Sequence, residues 1–179
     1  MASRKSELKR KEEKLEKELM AGLKQQGFLA TKTSDRFKAG RADLRIGHKD
    51  WAQMDVELKY NDWPMSELEK ADGSEIDTGM TKLQWLKIGE LNSHGMPAVC
   101  LIYFEALDEF RLTTLLRYPL SLAGGCVVRK LPPPRVIEGG ELFVKAMELL
   151  HEQRYRFPGS GRWGAHNWRA DTKHRLGPR

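Results

Sequence analysis

Between residues 4 and 26 the leucines Leu8, Leu15, Leu19 and Leu23 recur among Lys and Glu. Spacings of seven and four put them on one side of a helix. Gly27 supplies the residue that ends one. Period-two alternation follows. Phe28–Thr33 reads as a first strand. Arg41–Ile46 sets Arg41, Asp43 and Arg45 against Ala42, Leu44 and Ile46. Met54–Tyr60 sets Met54, Val56, Leu58 and Tyr60 against Asp55, Glu57 and Lys59. Such alternation predicts strands with one face in a core, and 47–50 reads as the turn between the second and third.

Residues 61–79 lack a period and read as a long loop with a short helical piece at Met65–Ala71. Thr81–Ser93 reads as a helix with Leu83, Leu86 and Leu91 inward and Gly95 as its terminator. Ala98–Phe104 is apolar almost throughout, hence a buried strand, with Glu109–Thr114 as its partner across 105–108. Val127–Leu131 reads as a strand, Pro132-Pro133-Pro134 as a stiff extended connector, and Glu141–Gln153 as a helix with Leu142, Ala146, Leu149 and Leu150 inward. The order of helix, three strands, helix and strand predicts an α/β fold, an αβββαβ core with a mixed central sheet flanked by helices. One domain over 1–153 is expected, with a motif-bearing core at 12–104, an extension at 105–153 and a tail at 154–179.

Composition narrows the class. The 179 residues are 40% hydrophobic and 31% charged. No apolar run approaches the roughly 20 residues of a membrane span. The N-terminus is charged from Arg4 onward and has no apolar stretch of the secretory type. Cys100 and Cys126 lack metal-ligand spacing and suit buried thiols in a reducing cytoplasm. Formal net charge is +6. Residues 154–179 hold six Arg and one Lys against one Asp, so this tail carries the whole surplus. Its cations interleave with aromatics: Arg154, Arg156, Arg162, Trp163, Trp168, Arg169, Lys173 and Arg175. That mixture suits phosphate contact and base stacking, and it equally suits a protein partner or a solvated tail. His166 and His174 lack companions at zinc-ligand spacing. His48 and His94 fall in expected turns, at the surface. No Gly-rich phosphate loop or nucleophile elbow is present.

The candidate chemistry lies in Gly40-Arg41-Ala42-Asp43-Leu44 and Glu57-Leu58-Lys59. Residues i and i+2 of a strand share a face. If the two strands pair as a hairpin, Asp43, Glu57 and Lys59 share the face opposite the core, with neighbours ~5 Å apart. Mg²⁺ takes oxygen ligands at ~2.1 Å and keeps several waters. Asp43, Glu57 and the backbone carbonyl of Leu58 supply oxygens, and Lys59 an ammonium for water or phosphate. The same three side chains also suit a solvated strand face.

These segments resemble the PD-(D/E)XK nuclease superfamily, whose signature is an acid on one strand and (D/E)-x-K on the next, after a helix with a further Glu. The stretch Glu16 to Phe28 is similar to the first helix of archaeal-type Holliday-junction resolvases and of VRR-NUC nucleases. The spacing to Gly27-Phe28 makes Glu16 the matching acid, with Glu12, Glu13 and Glu18 as rivals. Lys82-Leu83-Gln84-Trp85-Leu86, then Gly95 and Ala98–Phe104, is similar to the VRR-NUC pattern, in which a Gln precedes a buried strand. Ala42 replaces the nominal proline, the gap from Lys59 to Gln84 is long, and nothing past Phe104 matches.

The resemblance implies a Mg²⁺- or Mn²⁺-dependent DNA endonuclease with a restriction-endonuclease-like fold. Asp43 and Glu57 would be metal ligands, Lys59 the catalytic lysine, Glu16 an accessory acid, and Gln84 a contact to substrate or water. Arg41 and the tail would hold DNA. The expected setting is replication, recombination or repair, on branched DNA, in the cytoplasm of a cell or of a phage host. Resolvases act as dimers, which leaves a homodimer open. The rival expectation is a silent nuclease-fold module that binds DNA or a replisome partner.

Overall fold

The leucine stripe of the first helix is buried as its spacing requires. In the computed structural model, which describes residues 4–33, 42–68, 76–114, 121–122 and 128–156, α1 spans Arg4–Gln25 and buries Leu15, Leu19 and Leu23. It ends in a Schellman turn. Gly27 N–H donates to Lys24 O at 3.1 Å and Phe28 N–H to Leu23 O at 3.0 Å, with Gly27 at φ +82°. That positive φ suits glycine, which has no Cβ to clash.

The chain continues through β1 (Leu29–Lys32), β2 (Leu44–His48), β3 (Trp51–Asn61), the short α2 (Met65–Leu68), β4 (Ile76–Asp77), α3 (Lys82–Ser93) and β5 (Ala98–Phe104). A 3₁₀ turn at Glu105–Leu107 leads to β6 (Glu109–Thr113), then β7 (Ser121–Leu122), β8 (Val128–Leu131) and α4 (Gly139–Arg156). Six strands form one sheet in the order β1-β2-β3-β5-β6-β8, and β4 pairs with β7 apart from it. Only β3 and β5 run parallel within the large sheet. The fold is thus α/β with a mixed central sheet flanked by helices, as the order of periodic segments predicts.

Strand alternation sorts the core into two layers. Val56, Leu58, Val99, Leu101 and Leu112 pack with leucines of α1 and with Leu142, Phe143, Ala146 and Leu149 of α4. Ala98, Cys100, Ile102 and Phe104 point the other way, against Ile88 and Leu91 of α3. Cys100 is a buried free thiol. Cys126 lies outside the described residues.

Several expectations are corrected. β2 begins at Leu44, not Arg41, and continues through Gly47 and His48, so the turn shrinks to residues 49–50. Pairing shifts register between Ile46 and His48, and a glycine at Gly47 suits that irregularity. His48 is therefore a strand residue, half-buried, with its ring 4.7 Å from that of Phe28. Leu83 and Leu86 are exposed. The buried stripe of α3 runs through Ile88, Leu91 and Asn92 instead. Its register is set by Asn92, whose side-chain amide bonds Ala98 N–H and C=O, each at 2.8 Å. The proline run bends into a turn, in which Val136 and Ile137 N–H both donate to Pro133 O.

Candidate functional site

β2 and β3 pair as an antiparallel hairpin with Leu44 opposite Val56 and Ile46 opposite Met54. Their apolar residues enter one core, so Asp43, Glu57 and Lys59 share the other face. That face is not solvated over β3. The neighbouring β5 sets Cys100 beside Glu57 and Ile102 beside Lys59, and the segment leading into α3 covers them. Glu57 is only 1% exposed. Gly79 lies over the aliphatic stem of Lys59, 3.9 Å from its Cδ to the position of a Cβ.

Five polar side chains converge here. Lys59 Nζ donates to Glu57 Oε1 at 2.6 Å and lies 3.7 Å from Glu12 Oε1 and 3.9 Å from Asp43 Oδ2. Asp43 Oδ2 accepts from the Leu58 backbone N–H at 2.9 Å. Gln84 Nε2 donates to Glu57 Oε1. Paired residues of β2 end at Leu44, so this stretch of the β3 edge meets a side chain rather than a strand. The N–H and C=O of one strand residue point to the same side, which turns the Leu58 carbonyl toward Asp43 as well.

Three carboxylates around one ammonium leave the site too negative. Burial, the Asp43 charge and a hydrogen bond with Asp43 push the Glu57 carboxyl up to about 8 against the pull of Lys59. Glu12 is also raised, by burial first and then by Asp43, with Lys59 opposing. Burial works against the charge of Lys59, but Glu57, Asp43 and Glu12 outweigh it and hold the ammonium above the usual lysine range. Lys59 is thus a permanent cation at neutral pH.

The placement of α1 separates two glutamates that the sequence leaves as alternatives. Glu12 faces Lys59. Glu16, one turn later, is bound through both oxygens to Lys32 Nζ at 2.9 Å, and it meets the cluster only at its rim. Glu13 and Glu18 are absent from the contacts of Lys59; Glu18 instead pairs with Lys14 at 3.8 Å. Next along the shared face, Arg45 binds Asp55 through two nitrogens at 2.7 and 3.0 Å.

Lys32 and Thr81 escape the sequence reading. Lys32 left no signal beyond a charged strand residue. Thr81 did leave one: Thr-x-x-Gln ahead of an apolar run is the capping-box pattern. Arg41, Arg162, Trp163, Trp168, Arg169, Lys173 and Arg175 lie outside the described residues, as do His166 and His174. Arg154 and Arg156 fall within α4, but their side chains lie outside as well.

Among the described residues, no three or more His, Cys, Asp and Glu side chains gather as a metal-holding group. The oxygens on hand are the Asp43 and Glu57 carboxylates and the Leu58 carbonyl. That set fits a hard cation that keeps most of its waters. Burial and the neighbouring Asp43 charge raise the proton affinity of Glu57, so added positive charge would favour its ionised form. No helix among the described residues is long and apolar enough to cross a membrane. No protein-family model matches the sequence, and no curated protein matches it.

Proposed function

We propose that the chain is a divalent-cation-dependent endodeoxyribonuclease that hydrolyses phosphodiester bonds, acting on branched DNA in replication, recombination or repair. The observation that carries this reading is the convergence of Asp43, Glu57 and Glu12 on the single ammonium of Lys59, at one end of the central strand. The likeness of Asp43 and Glu57-Leu58-Lys59 to the PD-(D/E)XK signature points the same way.

Asp43 and Glu57, with the Leu58 carbonyl, would hold Mg²⁺ or Mn²⁺. When bound, such an ion polarises a phosphoryl oxygen and acidifies a water. The protein's own groups do the rest. Lys59 stays charged, so it is no general base. It orients the attacking water by donating a hydrogen bond and offsets the charge that gathers on phosphorus. Glu12 has a raised affinity for protons and faces the same ammonium, which suits it to take a proton from that water. The water oxygen bonds to phosphorus, one P–O ester bond breaks, and the departing oxygen takes up a proton from solvent. The basic, aromatic tail supplies cations for the DNA backbone.

The test is cleavage of supercoiled and four-way-branched DNA by the full chain in Mg²⁺, beside Asp43→Asn and Lys59→Met. Cutting by wild type that EDTA stops and both variants lose supports the reading. Equal, cation-independent DNA binding by all three with no cutting leaves a binding module instead.

A further inference from the structure

The Gln84 amide is held from two sides. Its Oε1 accepts from the Thr81 backbone N–H at 2.9 Å and from the Thr81 hydroxyl at 3.1 Å. Thr81 Oγ1 in turn accepts from the Gln84 backbone N–H at 3.3 Å. Together these bonds form a capping box at the start of α3. A side-chain amide carries its oxygen and its NH₂ on opposite arms of one carbon. With the oxygen kept by Thr81, the NH₂ is aimed at Glu57, where it donates to Oε1. Lys59 Nζ donates to that same oxygen. Two donors thus meet on Oε1 and neither on Oε2. One of the two amide N–H groups of Gln84 is committed to Glu57.

We propose that Thr81 is a positioning residue for Glu57. By fixing the Gln84 amide it sets a second donor beside Lys59 on Glu57 Oε1 and leaves Oε2 to face a divalent cation. This rests on the cation-dependent reading above. Partners one shell out from a ligand commonly change metal affinity about 10–100-fold when lost. Gln84 stands in that relation to Glu57, and Thr81 acts through it.

The helix cap and the amide orientation can be separated. Thr81→Asp keeps an acceptor for the Gln84 backbone N–H and is a good cap. Its side chain has no proton for Gln84 Oε1 and repels that oxygen, against the one backbone N–H that still binds it. Thr81→Ser keeps both bonds. Gln84→Met keeps the cap and removes both amide groups, and serves if Thr81→Asp does not fold.

Three quantities decide the matter: the ¹⁵N-resolved side-chain NH₂ signal of Gln84 in metal-free protein, Mn²⁺ affinity by electron paramagnetic resonance, and the melting temperature. The expected result is a slowly exchanging NH₂ signal in wild type and Thr81→Ser. Thr81→Asp should lose it at nearly unchanged melting temperature and bind Mn²⁺ about ten-fold more weakly, as should Gln84→Met. On cleavable DNA the loss should fall on kcat rather than KM. An unchanged NH₂ signal and Mn²⁺ affinity in Thr81→Asp, or an unchanged affinity in Gln84→Met, overturns the assignment. A wild type that binds no Mn²⁺ overturns the cation reading. The NH₂ signal then still speaks alone: its loss in Thr81→Asp upholds the orientation by Thr81, and its retention overturns it.

Discussion

Lys59 Nζ and Glu57 Oε1 are 2.6 Å apart on one face of β3, and the side chain of Glu57 is almost wholly shut away from water. The ion pair is therefore a buried one. Its energy depends on whether both partners are charged together. Removing one partner of a buried pair costs about 3–5 kcal/mol when the other stays charged. Glu57 has an escape, because it can take a proton.

Lys59→Met is accordingly expected to be more destabilising at high pH than at low. Near pH 8.5 three carboxylates lose the ammonium they converge on, and the cost should reach about 3 kcal/mol. Near pH 5 Glu57 is protonated and the cost shrinks. Urea unfolding at both values, with EDTA present, measures the difference. An equal loss at both pH values contradicts it.

The metal-free wild type should lose stability as pH rises. Folding raises the Glu57 carboxyl from its ordinary 4.5 to about 8. The native state therefore binds more protons than the unfolded chain across that window. Its contribution is fully present below 4.5 and is lost as pH climbs through 8, at up to about 1.4 kcal/mol per pH unit. Glu12 is shifted in the same direction. Glu57→Gln should flatten the decline, seen as a smaller change in urea midpoint between pH 5 and 8.5.

Glu12 and Glu16 should differ in cleavage assays. Glu12 lies 3.7 Å from Lys59, while Glu16 is occupied by Lys32. Under the proposed function, Glu12→Gln lowers the nicking rate in saturating Mg²⁺ about 100-fold, the order of a general base. Glu16→Gln has the smaller effect. The reverse order would move the accessory role back to Glu16.

Gly139 allows the close approach of α4 to Phe28. A Cβ there would fall 2.4 Å from Phe28 Cε2, against a rigid ring packed on Phe143. Gln26 fastens the same junction, accepting from Gly139 N–H at 2.7 Å and donating to Ile137 O at 2.9 Å. Gly139→Ala should cost about 1–3 kcal/mol through overpacking. With Phe28→Leu in the background the added cost should fall, a coupling that a double-mutant cycle in urea reads out. Strict additivity would contradict the packing account.

The sequence by itself determined where the long helices and the strands of the large sheet run along the chain, and that Glu57 and Lys59 share a face which a β2–β3 hairpin brings Asp43 to join. Those follow from local periodicity, since a strand turns every second side chain the same way wherever it lies. The capping box of Thr81 and Gln84 was equally local and was legible in Thr-x-x-Gln. Tertiary structure alone decided which glutamate of α1 meets Lys59. Glu12 and Glu16 are one turn apart on the same side of the helix, and only the height at which α1 crosses the sheet chooses between them. It also decided that Glu57 is buried. Alternation cannot distinguish a face open to water from one closed by α3, and Leu83 and Leu86 misled on which side of α3 does the closing. The proton affinity of Glu57 follows from that closure, because taking a carboxylate out of water is what raises it.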